Sequence, residues 1–175
     1  MQMLIYLTPK DEIKTQPYKN HTSVYKAMGE NTRAFNIINP SIPLGQPFGN
    51  KTMALYTDDE FLINGTEPIL NAYASILSLD SDGSYVPVYG NAVLLMNIMK
   101  DGEPDARGFE MSMDADTIGQ TEVEMVRDAL RHYFNNPDVK SLVKSLHEKY
   151  DNNMPEPYIE FIEFDDEEIG EPDRE

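Results

Sequence analysis

The chain has 175 residues, a formal net charge of −17 and no cysteine. The absence of cysteine excludes disulfide bonds, thiolate catalysis, iron–sulfur clusters and zinc sites built on cysteine. A protein this acidic repels nucleic acids and anionic membranes and is attracted to basic surfaces, although such a charge also serves simply to keep a protein soluble.

The N-terminal segment is apolar but short. Residues 1–9 have no basic region and no small-residue cleavage site, so we interpret them as a strand and not as a signal peptide. No stretch of the chain approaches the roughly 20 apolar residues that cross a bilayer. We therefore expect a cytoplasmic protein.

Short apolar runs in the first third of the chain predict strands and one helix. The helix begins at Thr22 or Ser23, whose side chains can cap it, and ends at Gly29, because glycine favours the position after a helix. The predicted strands are Met3–Leu7, Ala34–Ile38, Thr52–Thr57 and Phe61–Ile63.

A second helix is predicted to begin at Pro68, with Thr66 or Glu67 as its cap, because proline favours the first helical position. After the Asp82-Gly83 turn, Tyr85–Tyr89 is predicted as an edge strand, since it contains a proline. The run from Asn91 to Met99 follows. It is continuously apolar and predicts a strand buried on both faces, ended by Asp101-Gly102.

The clearest pattern is a helical hairpin over residues 121–150. Thr121 and Glu124 form a capping box, and Pro137 starts the second helix after the break at Asn135-Asn136. Each helix carries one apolar stripe, so both are expected to pack. The stripes are Val123, Val126, Leu130, Tyr133 and Phe134 in the first helix, and Val139, Leu142, Val143, Leu146 and Tyr150 in the second.

Together these elements predict an α+β fold. We expect a small mixed or antiparallel sheet with short helices, followed by the helical hairpin and an acidic C-terminal tail. Residues 1–150 then form one domain, and residues 151–175 form the tail.

The tail concentrates the charge of the chain. It holds eleven carboxylates against the single cation Arg174, a net −10, which leaves −7 for the preceding 150 residues. Aromatic residues are interleaved with these carboxylates. An extended chain places the charges of Asp165 to Glu168 about 3.3 Å apart, close to the roughly 3.4 Å between phosphates along one DNA strand.

This pattern predicts that the tail binds a partner. The predicted partner-binding residues are Tyr158, Glu160, Phe161, Glu163, Phe164, Asp165, Asp166, Glu167 and Glu168. Two other interpretations remain open: a solvated acidic tail that aids solubility, or a last strand that docks on the domain.

No pattern of residues indicates catalysis. His132 and His147 lie beside the apolar stripes of the hairpin and are interpreted, with His21, as surface histidines. Asp80–Ser84 is interpreted as an ordinary turn, because a calcium loop that starts at Asp80 would need glycine and glutamate where Tyr85 and Asn91 stand. Carboxylate groups at 58–60 and at 114 and 116 could bind a divalent metal only with further ligands from elsewhere in the chain. We therefore predict no catalytic residue, cofactor or metal, and a protein that is not an enzyme.

Several short motifs follow one another in the middle of the chain. They are Phe61-Leu62-Ile63-Asn64-Gly65, then Pro68 with Asn71-Ala72, then Asp82-Gly83 with Tyr85, then Tyr89-Gly90-Asn91-Ala92-Val93-Leu94-Leu95. Over about residues 3–115, this series resembles a small domain family of unknown function that bacteriophages and plasmids encode. The resemblance implies a mixed α+β domain and a mobile-element origin, and it brings no catalytic residues with it.

Three functions remain open at this point. The first is a non-enzymatic inhibitor of anti-CRISPR or anti-restriction type, which acts in the host cytoplasm and occupies the basic surface of a nucleic-acid-binding defence protein without binding nucleic acid itself. The second is a sponge for a nucleotide signal, for which five scattered cations are available: Arg33, Lys51, Arg107, Arg127 and Arg131. The third is an accessory protein of phage replication or assembly. Exposed strands would also permit a dimer.

Overall fold

The computed structural model describes residues 1–29, 32, 35–40, 52–59, 69–79, 82–111 and 121–150, with the backbone alone at residues 98–100 and 104. The strands in these ranges are β1 (Gln2–Leu7), β2 (Ile13–Pro17), β3 (Phe35–Ile38), β4 (Thr52–Asp58), β5 (Ala92–Lys100), β6 (Glu103–Arg107) and β7 (Phe109–Glu110). The helices are α1 (His21–Met28), α2 (Ala72–Leu77), α3 (Glu122–Asn135) and α4 (Pro137–Tyr150). The predicted strand Phe61–Ile63 lies outside the described residues.

The strands form one seven-stranded sheet with the order β2-β1-β5-β4-β3, to which β6 adds beside β5 and β7 beside β1. Every pairing between the described strands is antiparallel. Helices and strands alternate irregularly along the chain. The predicted α+β fold is therefore confirmed, with an antiparallel sheet.

Helices cover both faces of the sheet. Successive side chains of a strand point to opposite sides, so each strand contributes side chains to both packed faces. On one face, Leu4, Tyr56 and Leu95 pack with Val24 and Met28 of α1. On the other face, side chains such as Ile5, Leu55 and Leu94 pack with α2 and α3 and with Leu146 of α4. The continuous apolar character of β5 follows from this arrangement, since residues 92–96 are completely buried on both faces.

Residues 103–110 fill a gap between the two central strands. β1 and β5 pair only from Ile5↔Leu94 to Leu7↔Ala92. Beyond this point, β5 pairs with β6 and the start of β1 pairs with β7. The chain changes partner at Gly108, where it passes very close to β1 and to Tyr18.

Replacing Gly108 by alanine is expected to destabilise the fold by about 1–3 kcal/mol, the usual cost of overpacking. A Cβ atom at this position would lie 2.9 Å from the Cβ of Gln2, 2.9 Å from the carbonyl oxygen of Met3 and 3.0 Å from the Cβ of Tyr18. Urea unfolding measures the change. Gly108→Ser is the companion variant, because its larger side chain must enter the same space and should cost more than alanine. An unchanged free energy of unfolding in Gly108→Ala would contradict the steric argument.

Two predicted helix starts were wrong. The cap of α1 is Asn20, whose Oδ1 accepts a hydrogen bond from the backbone N–H of Thr22 at 3.0 Å. The helix predicted from Pro68 begins only at Ala72, with Asn71 as its cap. The preceding residues are extended, because Leu70 pairs with Tyr89 as an isolated bridge. The predicted C-terminal glycine of α1, Gly29, is confirmed.

The strand predicted at Tyr85–Tyr89 does not form. Only Tyr89 makes a β-bridge, and the serines of α2 satisfy the neighbouring backbone N–H groups instead. The hydroxyl of Ser75 accepts from the backbone N–H of Val88, and that of Ser78 accepts from the backbone N–H of Val86, both at 2.9 Å. These contacts replace the hydrogen bonds that a strand partner would supply.

The helical hairpin is confirmed. The capping box of Thr121 and Glu124 is formed, and α4 begins at Pro137 and contacts both α2 and α3. Four stripe residues of α3 are buried, but Leu146 alone is buried on α4 and Leu142 is 36% exposed. The predicted apolar face of α4 is thus too wide, because α4 lies at the edge of the domain and is covered on one side.

Candidate functional site

The nine predicted partner-binding residues, Tyr158 through Glu168, lie outside the described residues. The structure describes the helix from which this segment continues. α4 ends at Tyr150, immediately before the acidic tail begins. The last turn of α4 is therefore the described part of the chain nearest to the predicted binding segment.

Two side-chain contacts hold the last turn of α4 in place. The hydroxyl of Tyr150 lies 3.1 Å from the hydroxyl of Tyr85, in the segment before β5. One turn earlier, Nε2 of His147 lies 3.0 and 2.9 Å from the two carboxylate oxygens of Asp11. The end of α4 is therefore fixed to two other parts of the fold.

The contact between His147 and Asp11 corrects the interpretation of His147 as an ordinary surface histidine. Its side chain is 23% exposed, and its partner is 136 residues away in the sequence. Such a pair cannot be recognised from spacing along the chain. His132, by contrast, is exposed as predicted. His21 lies at the start of α1 with its ring 6.3 Å from that of Phe35.

Asp11 also lines a cleft of about 190 Å³ between the β1–β2 turn, α2 and the end of α3. Ile13 and Phe134 supply apolar surface, and Tyr73 stacks on Phe134 with a ring separation of 3.7 Å. Arg131 and Asn135 complete the lining. One anion, one cation, a phenol and an amide therefore face the same small space.

The turn that carries Asp11 is held by local hydrogen bonds. The backbone N–H of Asp11 donates to the carbonyl of Thr8 at 3.1 Å, and that of Thr8 donates to the carbonyl of Glu12 at 3.1 Å. Asp11 has a φ of 59°, the left-handed conformation that aspartate and asparagine tolerate better than most residues. The side chain is thus presented to both His147 and the cleft.

The five cations considered for a ligand site do not converge in the described part of the chain. Arg107 makes a two-pronged salt bridge with Glu122, with nitrogen–oxygen distances of 3.1 and 3.0 Å, and so ties β6 to the start of α3. Arg33 and Lys51 lie outside the described residues. Among the five, Arg131 lines the described cleft.

The described residues contain no group of three or more histidine and carboxylate side chains arranged to hold a metal ion. The turn at Gly83 is formed, with Oδ1 of Asp82 accepting from both the backbone and the hydroxyl of Ser84. None of the four described helices is long and apolar enough to cross a bilayer.

Comparison with known proteins gives no relative. No protein-family model, no curated protein and no solved structure matches the chain. The resemblance to the phage and plasmid domain family therefore stays a prediction.

We expect the protein to lose stability as the pH rises above about 10, the ordinary pKa of tyrosine. Burial, the largest cause in each case, raises the pKa of five tyrosine hydroxyls: Tyr18, Tyr56, Tyr73, Tyr85 and Tyr133. The unfolded chain then ionises first, so the stability present below pH 10 is lost as the pH passes through the raised pKa values. Urea unfolding from pH 7 to 11 measures this loss.

The matched variant for this experiment is Tyr56→Phe, which keeps the ring and removes one titrating hydroxyl. It should reduce the loss of stability above pH 10 without changing the profile below pH 9. A flat profile up to pH 11 for the native protein would contradict the prediction.

Proposed function

We propose that the protein is a non-enzymatic inhibitor, encoded by a phage or other mobile element, that occupies the basic nucleic-acid-binding surface of a host defence protein in the host cytoplasm. The observation that carries this proposal is the distribution of charge. The last 25 residues have a net charge of −10, more than half of the total of −17. A surface that binds nucleic acid is positively charged and attracts such a segment.

The attachment of the tail supports this role. The contacts of Tyr150 with Tyr85 and of His147 with Asp11 join the last turn of α4 to two other parts of the domain. A charged segment that starts from a rigid base loses less orientational freedom on binding than one on a loose linker. The carboxylates then meet lysine and arginine side chains of the partner, and Tyr158, Phe161 and Phe164 act as anchors.

A second candidate function, the nucleotide sponge, receives less support from the described residues. The cleft beside Asp11 has a volume of about 190 Å³, below the roughly 300 Å³ at which pockets begin to enclose ligands of drug or nucleotide size. The carboxylate of Asp11 in its lining would also repel phosphate. This cleft therefore suits a smaller ligand than a nucleotide.

The inhibitor proposal predicts that neutralising the tail weakens binding roughly 10- to 100-fold. The variant converts Asp165, Asp166, Glu167 and Glu168 to the corresponding amides, and each exposed charge pair that it removes is worth about 0.2–1 kcal/mol. Proteins captured from host lysate at low salt are identified and their affinities measured. DNA should compete with the tail for these proteins, and molar salt should release them.

The control for this experiment removes the same number of charges elsewhere. Glu124, Asp128, Asp138 and Glu148 are exposed on the helical hairpin and can be converted to amides together. This control should keep most of the affinity, whereas truncation after Asn153 should abolish it. Equal binding by the truncated protein, or capture that persists in molar salt, would refute the proposal.

A further inference from the structure

The cleft between the β1–β2 turn and α3 holds opposite charges on a partly apolar base. Asp11 is its anion and Arg131 its cation, while Ile13 and the stacked pair of Tyr73 and Phe134 form the apolar surface. Asp11 also contacts His147 and so helps to hold the end of α4, but Arg131, Ile13, Tyr73 and Phe134 have no part in the proposed inhibition.

Both charged groups have capacity left for a ligand. The oxygens of Asp11 contact His147, but a carboxylate accepts about four hydrogen bonds in all. Arg131 pairs with Asp128 at 3.9 Å, a long contact in which both side chains are half-exposed, so it contributes little. The guanidinium has five N–H donors, most of which remain free to bind an anion.

The other polar groups of the cleft favour an ammonium on the side of Asp11. Burial raises the pKa of the Tyr73 hydroxyl, and the negative charge of the nearby Asp11 raises it further. The hydroxyl of Tyr73 and the amide oxygen of Asn135 can both accept hydrogen bonds from an ammonium. The C-terminal end of α3, at Asn135, adds a partial negative charge.

We propose that this cleft binds a small zwitterion, namely a free α-amino acid, with its ammonium group against Asp11 and its carboxylate against Arg131. Arginine binds carboxylates with two parallel hydrogen bonds, which fixes the orientation of the ligand. The volume of about 190 Å³ is large enough for an amino acid with a small side chain, such as alanine or serine. The affinity expected for so few atoms is a millimolar dissociation constant.

The test is a titration of the full-length, isotope-labelled protein with alanine. Binding is monitored by the NMR chemical shifts of the backbone amides. Alanine should give saturable shifts at residues 8–13 and 131–135. Propionate lacks the ammonium and ethylamine lacks the carboxylate, so each should bind roughly tenfold more weakly or not at all. This comparison uses the native protein and does not depend on the folding of any variant.

Two substitutions test the assigned groups. Asp11→Asn removes the charge but suits the left-handed backbone, and Arg131→Gln keeps a good helix former. Each should raise the dissociation constant for alanine by about tenfold or more, whereas Asp128→Asn should leave it unchanged. Ethylamine or propionate binding as tightly as alanine would overturn the proposal, as would the absence of saturable shifts or undiminished binding by both charge variants.

Discussion

Replacing Asn71 by alanine is expected to lower the free energy of unfolding by about 3 kcal/mol. This side chain is completely buried and makes three hydrogen bonds. Its Oδ1 accepts from the backbone N–H of Ala74 and caps α2, while its Nδ2 donates to the carbonyls of Leu7 and Gly90 at 2.8 and 2.9 Å. Alanine removes a helix cap, worth about 1 kcal/mol, and takes a donor from two carbonyls that are costly to leave unpaired.

Asn20→Ala provides the matched control, because Asn20 also caps a helix but is exposed and makes a single capping contact, with Thr22. It should cost about 0.5–1 kcal/mol. Asn71→Asp keeps the capping oxygen and loses both donors, so it should be as damaging as Asn71→Ala. Denaturant unfolding at neutral pH compares the three variants. Equal losses for Asn20→Ala and Asn71→Ala would show that the buried donors contribute nothing.

The importance of Asn71 was only partly visible in the sequence. Asn71 appears there within a short motif, but the helix was predicted to start at Pro68. The local signal for a helix start was outweighed by tertiary pairing, since the carbonyl of Ile69 accepts from Gly90 and the backbone N–H of Asn71 donates to Val88. These bonds keep the chain extended until Asn71.

The elements that were predicted well are specified by residues within or next to the element itself. The capping box at Thr121 and the proline at the start of α4 act within a few residues, and the apolar run of β5 reports directly on its burial. By contrast, β2 and β6 were missed, because their sequences IKTQP and EPDAR are polar and resemble loops. Pairing with β1 and β5 makes them strands, and this pairing is a property of the fold.

The candidate cleft was not predicted from the sequence. Asp11, Tyr73 and Arg131 come from three separate elements and are brought together by the packing of α3 and α2 beside the β1–β2 turn. The sequence indicated that Arg131 was an available cation, but it gave no sign of the carboxylate with which Arg131 shares a cleft. The acidic tail, whose signal is compositional, was evident from the sequence alone.

Replacing Phe109 by alanine is expected to cost about 3–5 kcal/mol, the usual range for a buried phenylalanine. Phe109 is completely buried, although β7 contains only two residues. Its ring fills the core beneath the place where β1 and β5 diverge, and its backbone pairs with Met3. Because β7 has only two residues, the buried ring of Phe109 is what connects this strand to the hydrophobic core.

The loss of Phe109 should also loosen the start of α3. The backbone N–H of the next residue, Glu110, donates to Glu122 at 2.9 Å, and Glu122 in turn binds Arg107. Amide hydrogen exchange should therefore accelerate in the first turn of α3 as well as in β7. Phe35→Ala is the control, since Phe35 lies on an edge strand, is only partly buried and packs on the opposite face. It should cost less than half as much and leave exchange in α3 unchanged. Similar losses of stability in the two variants would contradict the prediction that burial of the Phe109 ring contributes more than burial of the Phe35 ring.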